Sequence, residues 1–326
     1  MAELSILDVG HGNCAVLFDT DGVSVFDAPL GDILLKTLMQ RRVAEISLVI
    51  VSHAHADHIG GILSLLLNND VREIYINPDA SKDTELWYDF RTVLKVRADE
   101  GHPIEVKVGL TTSNTGQLSR GETKVEVLAP SPALALGGVG GQDLQGRFLT
   151  SNSLSAVLRL SGKNVPSTLL PGDLDNVGLE NLLGSGGNAQ ARVLVFPHHG
   201  GHSGARDDSA FAFRFCRAVQ PELVIFSIGR GHYDMPLPEV VAGVRHAVPV
   251  AHIACTQLSV QCAGAVPEQN GLHLSDRPAR GKSTRSCCAG SLVLGSASVV
   301  PLSEPIPDEH REFVERHAET ALCRTP

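Results

Sequence analysis

The sequence predicts an α/β protein whose functional site lies at the carboxyl edge of a β-sheet. Apolar runs rich in Ile and Val, which are typical of buried strands, are followed by segments with helical spacing of apolar residues. Two of these runs, residues 46–51 and 192–196, lead directly into histidine clusters. Because open α/β sheets place ligand sites at the carboxyl ends of their strands, we expect the two clusters to form one site.

The first cluster is the loop SHAHADHIGG, residues 52–61, which contains His53, His55, Asp57 and His58. In an extended segment, residues two apart point the same way, so His53 and His55 can hold one ion. Asp57 and His58 follow where the loop bends, and they can reach a second ion. Imidazole nitrogens and carboxylate oxygens are ligands for borderline or hard divalent ions. The loop therefore predicts a centre of two divalent metal ions.

The HxHxDH pattern of this loop resembles that of the metallo-β-lactamase fold hydrolases. The segments LDVGHGNCAVLF, SNSLSAVLRL, LLPGDLD and VFPHHGGHSG resemble, in the same order, the metallo-β-lactamase domain of ComEC-type competence proteins and its free-standing relatives. The resemblance runs from about residue 4 to about residue 260. It implies a four-layer αββα sandwich and a hydrolase with two divalent metal ions, either zinc or manganese.

The chain is predicted to divide into a hydrolase domain over residues 1–262 and a C-terminal extension over residues 263–326. The extension contains cysteines, a basic segment at residues 276–285, a final strand and a terminal helix. We expect it to pack on the hydrolase domain. The basic segment is either a solvated loop or an arm that contacts phosphate.

Strands are predicted where apolar or alternating residues form short runs: 4–7, 15–18, 23–26, 46–51, 72–77, 104–108, 124–128, 153–160, 168–170, 192–196, 223–228, 248–254 and 291–300. Helices are predicted where apolar residues recur at helical spacing: 33–42, 62–67, 84–100, 177–183, 208–219, 238–247 and 308–322. The first three strands flank the glycine loop at residues 10–13. The glycine-rich segment 133–146 is expected to be a mobile loop over the site.

Asp173 follows a glycine at the end of a short strand, in the segment LLPGDLD. In the family, this motif supplies a carboxylate that bridges two cations, so the resemblance implies the same role for Asp173. Asp173 is also placed to cap the next helix, but Asp175 is the better candidate for that cap.

The second cluster is PHHGGHS, residues 197–203. One of His198 and His199 is expected to face the metals, and the other to orient substrate or protonate the leaving oxygen. The sequence leaves open which histidine has which role. We assign the metal ligands as His53, His55, Asp57, His58, Asp173 and His198, and the catalytic residues as Asp57, His198 and His199.

Substrate contacts are assigned to residues near the predicted mouth of the site: Asp8, His11, Asn13, Asn152, Ser203 and His232. His11 stands where the family commonly has a glutamine. Two histidines of the family pattern are missing, one near Asn152 and one at Met235, whose thioether is a poor ligand beside hard donors. His232 or Asp234 could replace the second. Coordination richer in oxygen or water would favour manganese, although zinc or a mixed site remains open.

Composition limits the partners of this chain. The formal net charge of −9 does not attract nucleic acid, so binding of a strand would depend on a local basic patch or on the metals. The first residues lack a basic region followed by a long apolar one, and no apolar run approaches the ~18 residues of a membrane span. We therefore expect no membrane insertion and a cytoplasmic location. The oligomeric state is not predicted.

Seven cysteines in a chain without a predicted export signal do not indicate a disulfide framework. Cys255, Cys262, Cys287 and Cys288 gather in the last quarter of the chain, where they are either ligands of a structural zinc or reduced, partly buried thiols. Their spacing fits no CxxC pair.

The leading hypothesis is a metal-dependent phosphodiesterase or nuclease that acts on DNA, RNA or a nucleotide through a hydroxide held between two metals. A second hypothesis is a small-molecule hydrolase of lactams, thioesters or lactones, because the fold alone does not specify a substrate. A third is a metal-binding interaction module that has lost catalysis, since two ligands of the family pattern are missing.

Overall fold

In a computed structural model, two β-sheets pack face to face, and helices cover the outer face of each sheet. The structure describes residues 1–77, 79, 84–295, 300–318 and 320–324. The strands are β1 (Glu3–Ile6), β2 (Ala15–Asp19), β3 (Gly22–Phe26), β4 (Glu45–Ile46), β5 (Leu48–Val51), β6 (Asp70–Val71), β7 (Glu73–Ile76), β8 (Glu105–Val108), β9 (Lys124–Ala129), β10 (Val157–Ser161), β11 (Thr168–Leu170), β12 (Val193–Val195), β13 (Leu223–Phe226), β14 (His252–Cys255) and β15 (Leu292–Leu294). The helices are α1 (Ile33–Gln40), α2 (Ala56–Ile59), α3 (Ile62–Asn68), α4 (Glu85–Asp99), α5 (Pro132–Ala135), α6 (Asn176–Gly184), α7 (Asp208–Val219), α8 (Pro238–Ala247) and α9 (Pro307–His317).

The first sheet has seven strands in the order β15-β1-β2-β3-β5-β7-β8, and the second has six in the order β14-β13-β12-β11-β10-β9. In the first sheet, β3, β5, β7 and β8 run parallel, whereas the pairs from β15 to β3 are antiparallel. In the second sheet, β11 to β14 run parallel. At their carboxyl ends, β5, β11 and β12 lead into the segments that are predicted to form the site.

The core has three layers, as four stacked layers of structure require. Leu17 on β2 and Leu158 on β10 belong to the layer between the sheets. Val16, the neighbour of Leu17, faces the helices that cover the first sheet, because successive side chains of a strand point to opposite faces. A third layer lies between the second sheet and α6, α7 and α8, where Phe211 and Phe215 are fully buried. The predicted four-layer αββα sandwich is confirmed.

Several predicted elements have different bounds in the structure. The run 46–51 is divided into β4 and β5, and the predicted strand 153–160 begins only at Val157, because Asn152–Leu154 form a 3₁₀ turn. Part of the first histidine loop is the short helix α2. The segment 133–146 overlaps α5, and its mobility stays a prediction. The final strand ends at Leu294, and residues 296–299 of that prediction lie outside the described residues.

The C-terminal region contributes to both sides of the sandwich. β15 extends the first sheet by pairing with β1, with Leu294 opposite Leu4. α9 packs Phe313 and Val314 on the core of the second sheet. The division at residue 262 stays a prediction. Among the described residues, the helices are too short or too polar to cross a bilayer.

Candidate metal centre

A buried carboxylate at the end of β3 holds the first histidine loop in place. Asp27 accepts hydrogen bonds from the backbone N–H of Ser52 at 2.7 Å and from the Ser52 hydroxyl at 2.8 Å. Its Oδ2 also lies 2.7 Å from Nδ1 of His58. A carboxylate on one ring nitrogen orients the imidazole and leaves the other nitrogen free to bind a metal. Sequence analysis did not assign Asp27 to the site, because its contact with His58 spans 31 positions of the chain.

Asp173 lies between two sets of imidazoles, and its two oxygens face different sets. Oδ1 is 3.3 Å from Nε2 of His58 and 3.8 Å from Nε2 of His199. Oδ2 is 3.9 Å from Nε2 of His53 and 3.9 Å from Nδ1 of His198. This arrangement is the one that a carboxylate shared by two cations requires.

The backbone brings Asp173 to this point through a tight turn. Gly172 has a φ of +54°, and a Cβ atom there would lie 2.3 Å from the Ser155 hydroxyl oxygen. Only glycine fits both the conformation and the space. The Ser155 hydroxyl accepts a hydrogen bond from the backbone N–H of Asp173. Asp175 caps α6 by accepting from the N–H of Gly178, as the sequence indicated.

The donor atoms of four side chains, namely Asp57, His58, Asp173 and His199, all lie within 4.8 Å of one another. Oδ2 of Asp57 is 3.3 Å from Nε2 of His199 and 3.9 Å from Nε2 of His58. A neighbouring pair is formed by His53 and His55, whose facing nitrogens are 3.1 Å apart. The structure thus brings the predicted metal residues together, and it places His199, assigned only to catalysis from the sequence, inside the tightest group.

The second cluster reaches the centre through an unusual backbone. His198 and His199 have φ values of +52° and +55°, a left-handed conformation that residues other than glycine rarely adopt. Such strain costs about 1–3 kcal/mol per residue and is found where the surroundings fix it, often at functional sites. Nδ1 of His199 donates to the Ser227 carbonyl oxygen at 2.7 Å. Nε2 is therefore the ring nitrogen of His199 that faces Asp57 and is available to a metal ion.

Charges within the centre shift several pKa values. Burial lowers the pKa of His58, but Asp173 and Asp27 outweigh burial and hold it well above its usual value. Burial would raise the pKa of Asp173, yet His58 and His199 keep it well below its usual range. Burial keeps the pKa of His53 well below normal. The buried Asp173 carboxylate thus stays ionised among the imidazoles, and a buried negative charge attracts cations.

Two buried nitrogens test whether divalent ions fit. Nε2 of His58 and Nε2 of His198 have no hydrogen-bond partner within the described part of the chain. Buried polar atoms are almost always paired, so such atoms need a ligand, a water or an ion. Imidazole nitrogens with carboxylate oxygens form a donor set suited to zinc or manganese. The residues present fit a two-ion centre.

Two of the predicted substrate contacts are buried and bonded within the protein, and their contact with substrate stays a prediction. Asp8 is fully buried, and its carboxylate accepts hydrogen bonds from the N–H groups of Gly10 and Gly281 and from the side chain of Gln257. These hydrogen bonds fix the glycine loop. Ser203 is also buried, with its N–H and hydroxyl bound to Asp208.

Asn13 and Asn152 each have a buried side-chain oxygen without a hydrogen-bond partner among the described residues. Asn13 lines a cavity of about 30 Å³ together with Asp27 and Ser52. That volume is enough for one or two water molecules. Contact of either asparagine with substrate stays a prediction.

His11 and His232 lie at the rim of the centre. Nε2 of His11 is 3.5 Å from Oδ2 of Asp57, and its ring centroid is 4.3 Å from that of His199. Burial, and then His199, lower the pKa of His11 to about 4. The His232 ring lies one ring further out, 4.4 Å from His11, and is not part of the group of four donors. Its replacement of the missing family histidine stays a prediction.

Met235 has a packing role at the place of that histidine. A Cβ atom on Gly201 would lie 2.3 Å from Cε of Met235, so the thioether fills the space beneath the second cluster. Asp234 is exposed and is not part of the group of four donors. The structure thus offers His199 where sequence comparison suggested His232 or Asp234.

Of the four cysteines considered as structural zinc ligands, Cys255, Cys262 and Cys288 lie near one another in the core beside the second sheet, whereas Cys287 turns away. Sγ of Cys287 lies 3.5 Å from Oδ2 of Asp8, whereas Sγ of Cys288 lies 3.3 Å from Nε2 of His310. The two adjacent side chains point to different partners. Within the described residues, the group of donors with metal-binding spacing contains none of Cys255, Cys262, Cys287 and Cys288. Burial raises the pKa of the Cys255 and Cys288 thiols well above normal, as expected for protonated core cysteines.

A family model described as the Metallo-beta-lactamase superfamily matches residues 7–227, which is more than half of the chain. ComE operon protein 3 of Bacillus subtilis (strain 168) is 25% identical over 275 residues, covering 76% of this chain and 31% of that protein. The chain therefore spans about a third of that relative's length. The resemblance stated from the sequence is confirmed.

Two solved structures are similar to this chain. The metallo-beta-lactamase fold protein YhfI from Bacillus subtilis matches with a TM-score of 0.48 and 12% identity, covering 78% of this chain and 96% of that one. Igni18, described as a metallo hydrolase from Ignicoccus hospitalis, matches with a TM-score of 0.42 and 14% identity, covering 78% and 94%. The chain belongs to the metallo-beta-lactamase superfamily.

Proposed function

We propose that this protein is a metal-dependent phosphodiesterase or nuclease that hydrolyses phosphodiester bonds in nucleic acid or nucleotides. The observation that carries the proposal is the position of Asp173, whose two oxygens face separate sets of imidazoles. A pair of cations sharing one carboxylate suits an in-line displacement at phosphorus, in which both the attacking and the leaving oxygen carry charge.

The two sets would hold one ion each. His53 and His198 face Oδ2 of Asp173 on one side, and His55 lies beside His53. Asp57, His58 and His199 surround Oδ1 on the other side. When bound, divalent ions stabilise negative charge on phosphoryl oxygens and lower the pKa of water to about 7.

Side chains at the rim would receive the substrate. The Asp57 side chain is 28% exposed, whereas His58 and His199 beside it are buried, so the opening of the centre lies on the Asp57 side. His11 borders that opening and is neutral at pH 7, because burial lowers its pKa to about 4. A neutral His11 can hold Asp57 in place through Nε2 without adding a positive charge that would repel metal ions.

The proposal is tested by incubating the purified chain with zinc, manganese or magnesium and a panel of single- and double-stranded DNA, RNA, cyclic nucleotides, a lactam and a thioester. We expect phosphodiester cleavage, which Asp173→Asn abolishes because the amide cannot serve two cations. His202→Gln is the matched control, since His202 is an exposed histidine paired with Asp208 outside the centre. Cleavage of the lactam or thioester alone, or no cleavage with any metal, would overturn the proposal.

A further inference from the structure

A row of aromatic rings leads from the metal centre to the surface. Ring centroids are 4.3 Å apart between His199 and His11, 4.4 Å apart between His11 and His232, and 4.3 Å apart between His232 and Tyr233. His199 is buried, and Tyr233 is 68% exposed. The rings thus become more exposed with distance from the proposed metal ligands, and the last two face solvent.

The loop that carries the outer rings is anchored at its base. Gly229 packs so closely on the glycine loop that a Cβ atom there would lie 2.6 Å from the backbone N of His11. The Arg230 guanidinium donates to the carbonyl oxygens of Leu258 and Ala263. The outer rings therefore extend from a fixed base beside the centre.

The backbone at the tip of this loop is strained. Tyr233 and Asp234 have φ values of +58° and +49°. A left-handed conformation costs roughly 1–2 kcal/mol for a residue with a Cβ atom, and a bulky residue there is uncommon. The Tyr233 hydroxyl has no hydrogen-bond partner among the described residues. A hydrogen bond of its side chain therefore does not explain why Tyr233 adopts a strained conformation that exposes its ring to solvent.

An unpaired cation lies beside the same glycine loop. Three basic residues of the segment 276–285 are used internally: Arg277 pairs with Glu3 and Glu304, Lys282 binds backbone carbonyl oxygens, and Arg285 binds the Glu268 carbonyl oxygen. The Arg280 guanidinium makes no hydrogen bond or ion pair within the described part of the chain, whereas its backbone N–H donates to the Asp8 carbonyl oxygen. A Cβ atom on Gly10 would lie 3.4 Å from Cγ of Arg280, so this side chain runs along the loop that carries His11.

We propose that Tyr233 and His232 form a stacking platform for the base next to the scissile phosphate, that Arg280 contacts a neighbouring phosphate, and that the substrate is therefore a single strand or a single-stranded end. This inference rests on the proposed function, because it uses the metal centre to place the phosphate. Exposed aromatic rings combined with cations are the features by which proteins bind single strands without sequence preference.

Stacking selects against a duplex, because paired bases are already stacked on each other and expose their faces only at ends and loops. It also suits a chain with a net charge of −9, since stacking affinity does not depend on overall positive charge. An exposed tyrosine alone would be an ordinary surface residue. We connect Tyr233 to substrate because the rings of His232 and His11 lie between it and His199 in one series of contacts.

The test measures binding of a short fluorescent oligonucleotide to the metal-free chain by anisotropy, and compares it with binding of an abasic strand of equal length. We expect Tyr233→Ala to weaken binding of the base-containing strand about tenfold or more and to leave the abasic strand unchanged. Tyr233→Phe keeps the ring and should bind as the wild type does. Equal losses for both strands, no loss for either, or no binding by the wild type would overturn the platform.

Arg280→Gln should weaken binding of both strands alike and reduce the salt dependence by about one phosphate contact. Arg285→Gln is the matched control, because its guanidinium already binds a backbone carbonyl oxygen. An unchanged salt dependence in Arg280→Gln would remove Arg280 from the proposal.

The outcomes also separate this inference from the function on which it rests. Strand cleavage that is unaffected by Tyr233→Ala, at any substrate concentration, would refute the platform and leave the nuclease proposal intact. Ring-dependent binding without hydrolysis in any metal would refute the nuclease proposal and leave the platform standing.

Discussion

The protein contains two buried groups of histidines that differ in whether buried carboxylates contact the imidazoles. In the metal centre, Asp27 and Asp173 lie on opposite nitrogens of His58. In the C-terminal group, Nε2 of His252 lies 3.0 Å from Nδ1 of His310, and Nε2 of His310 lies 3.3 Å from the Cys288 sulfur. In this group, the imidazole nitrogens face another imidazole or a thiol.

The pKa values follow this difference. Carboxylates overcome burial and hold the pKa of His58 well above its usual value. Burial, and then His252 and His273, hold the pKa of His310 well below it. Burial of an imidazole alone thus produces a neutral structural residue, here one that connects α9 to β14, whereas buried carboxylates among imidazoles produce a place for cations.

The largest effect is expected from matched substitutions in the two groups. His58→Ala removes a metal ligand, and we expect hydrolysis and metal content to fall by more than the roughly 100-fold typical of residues that only support a ligand. His310→Ala should lower the free energy of unfolding by about 1–3 kcal/mol and leave metal content unchanged. Denaturant unfolding and metal analysis of both variants measure this. Loss of metal from both variants would show that the two histidine groups do not differ in metal binding.

A smaller effect is expected from Asp27→Asn, because Asp27 orients His58 without facing the donors of the other ligands. We expect metal affinity to fall about 10- to 100-fold with the fold intact. Competition with a metal-sensitive dye gives the affinity, and His202→Gln serves as the control. Unchanged affinity would mean that Asp27 acts only on the Ser52 loop.

The C-terminal group should make stability depend on pH. Burial, and then Arg311 and Arg245, lower the pKa of His252 from 6.5 to about 4, and Asp308 only partly opposes them. The unfolded chain therefore takes up a proton first as the pH falls, so stability decreases between pH 6.5 and about 4, by at most about 1.4 kcal/mol per pH unit from this residue.

His252→Gln, which cannot be protonated, should show a shallower decrease in this pH range than the wild type, both measured by urea unfolding after metal removal. An identical decrease in the two proteins would show that His252 does not cause it.

The smallest effect is expected from Cys288→Ala. Loss of a buried sulfur should lower the free energy of unfolding by about 1 kcal/mol. Metal per chain should not change, because Cys287 beside it turns to Asp8 and the cysteines form no donor group in the described residues. A loss of one zinc per chain would restore the structural zinc that the sequence suggested.

The fold was largely predictable from the sequence, because many of the buried strands are short runs dominated by apolar residues. Leu48–Val51 is such a run, and its side chains are fully buried. Local motifs also located most of the centre, since HAHADH brings four donors to one strand end without help from distant residues.

Features that depend on distant contacts were not predictable. Asp27 reaches His58 across 31 positions, and Asp8 reaches Gln257 across 249, so neither role is visible in local spacing. The choice between His198 and His199 depends on two left-handed φ values that no propensity predicts. Tyr233 gains its place only because the loop after β13 returns to the glycine loop near His11.

The most direct test of the central claim is a count of metal ions per chain by mass spectrometry after saturation with zinc or manganese and removal of free metal. We predict about two ions per chain in the wild type and at most one in Asp173→Asn, because each oxygen of Asp173 faces a separate set of imidazoles. A wild type that saturates at one ion, or an Asp173→Asn variant that keeps two, would contradict the account.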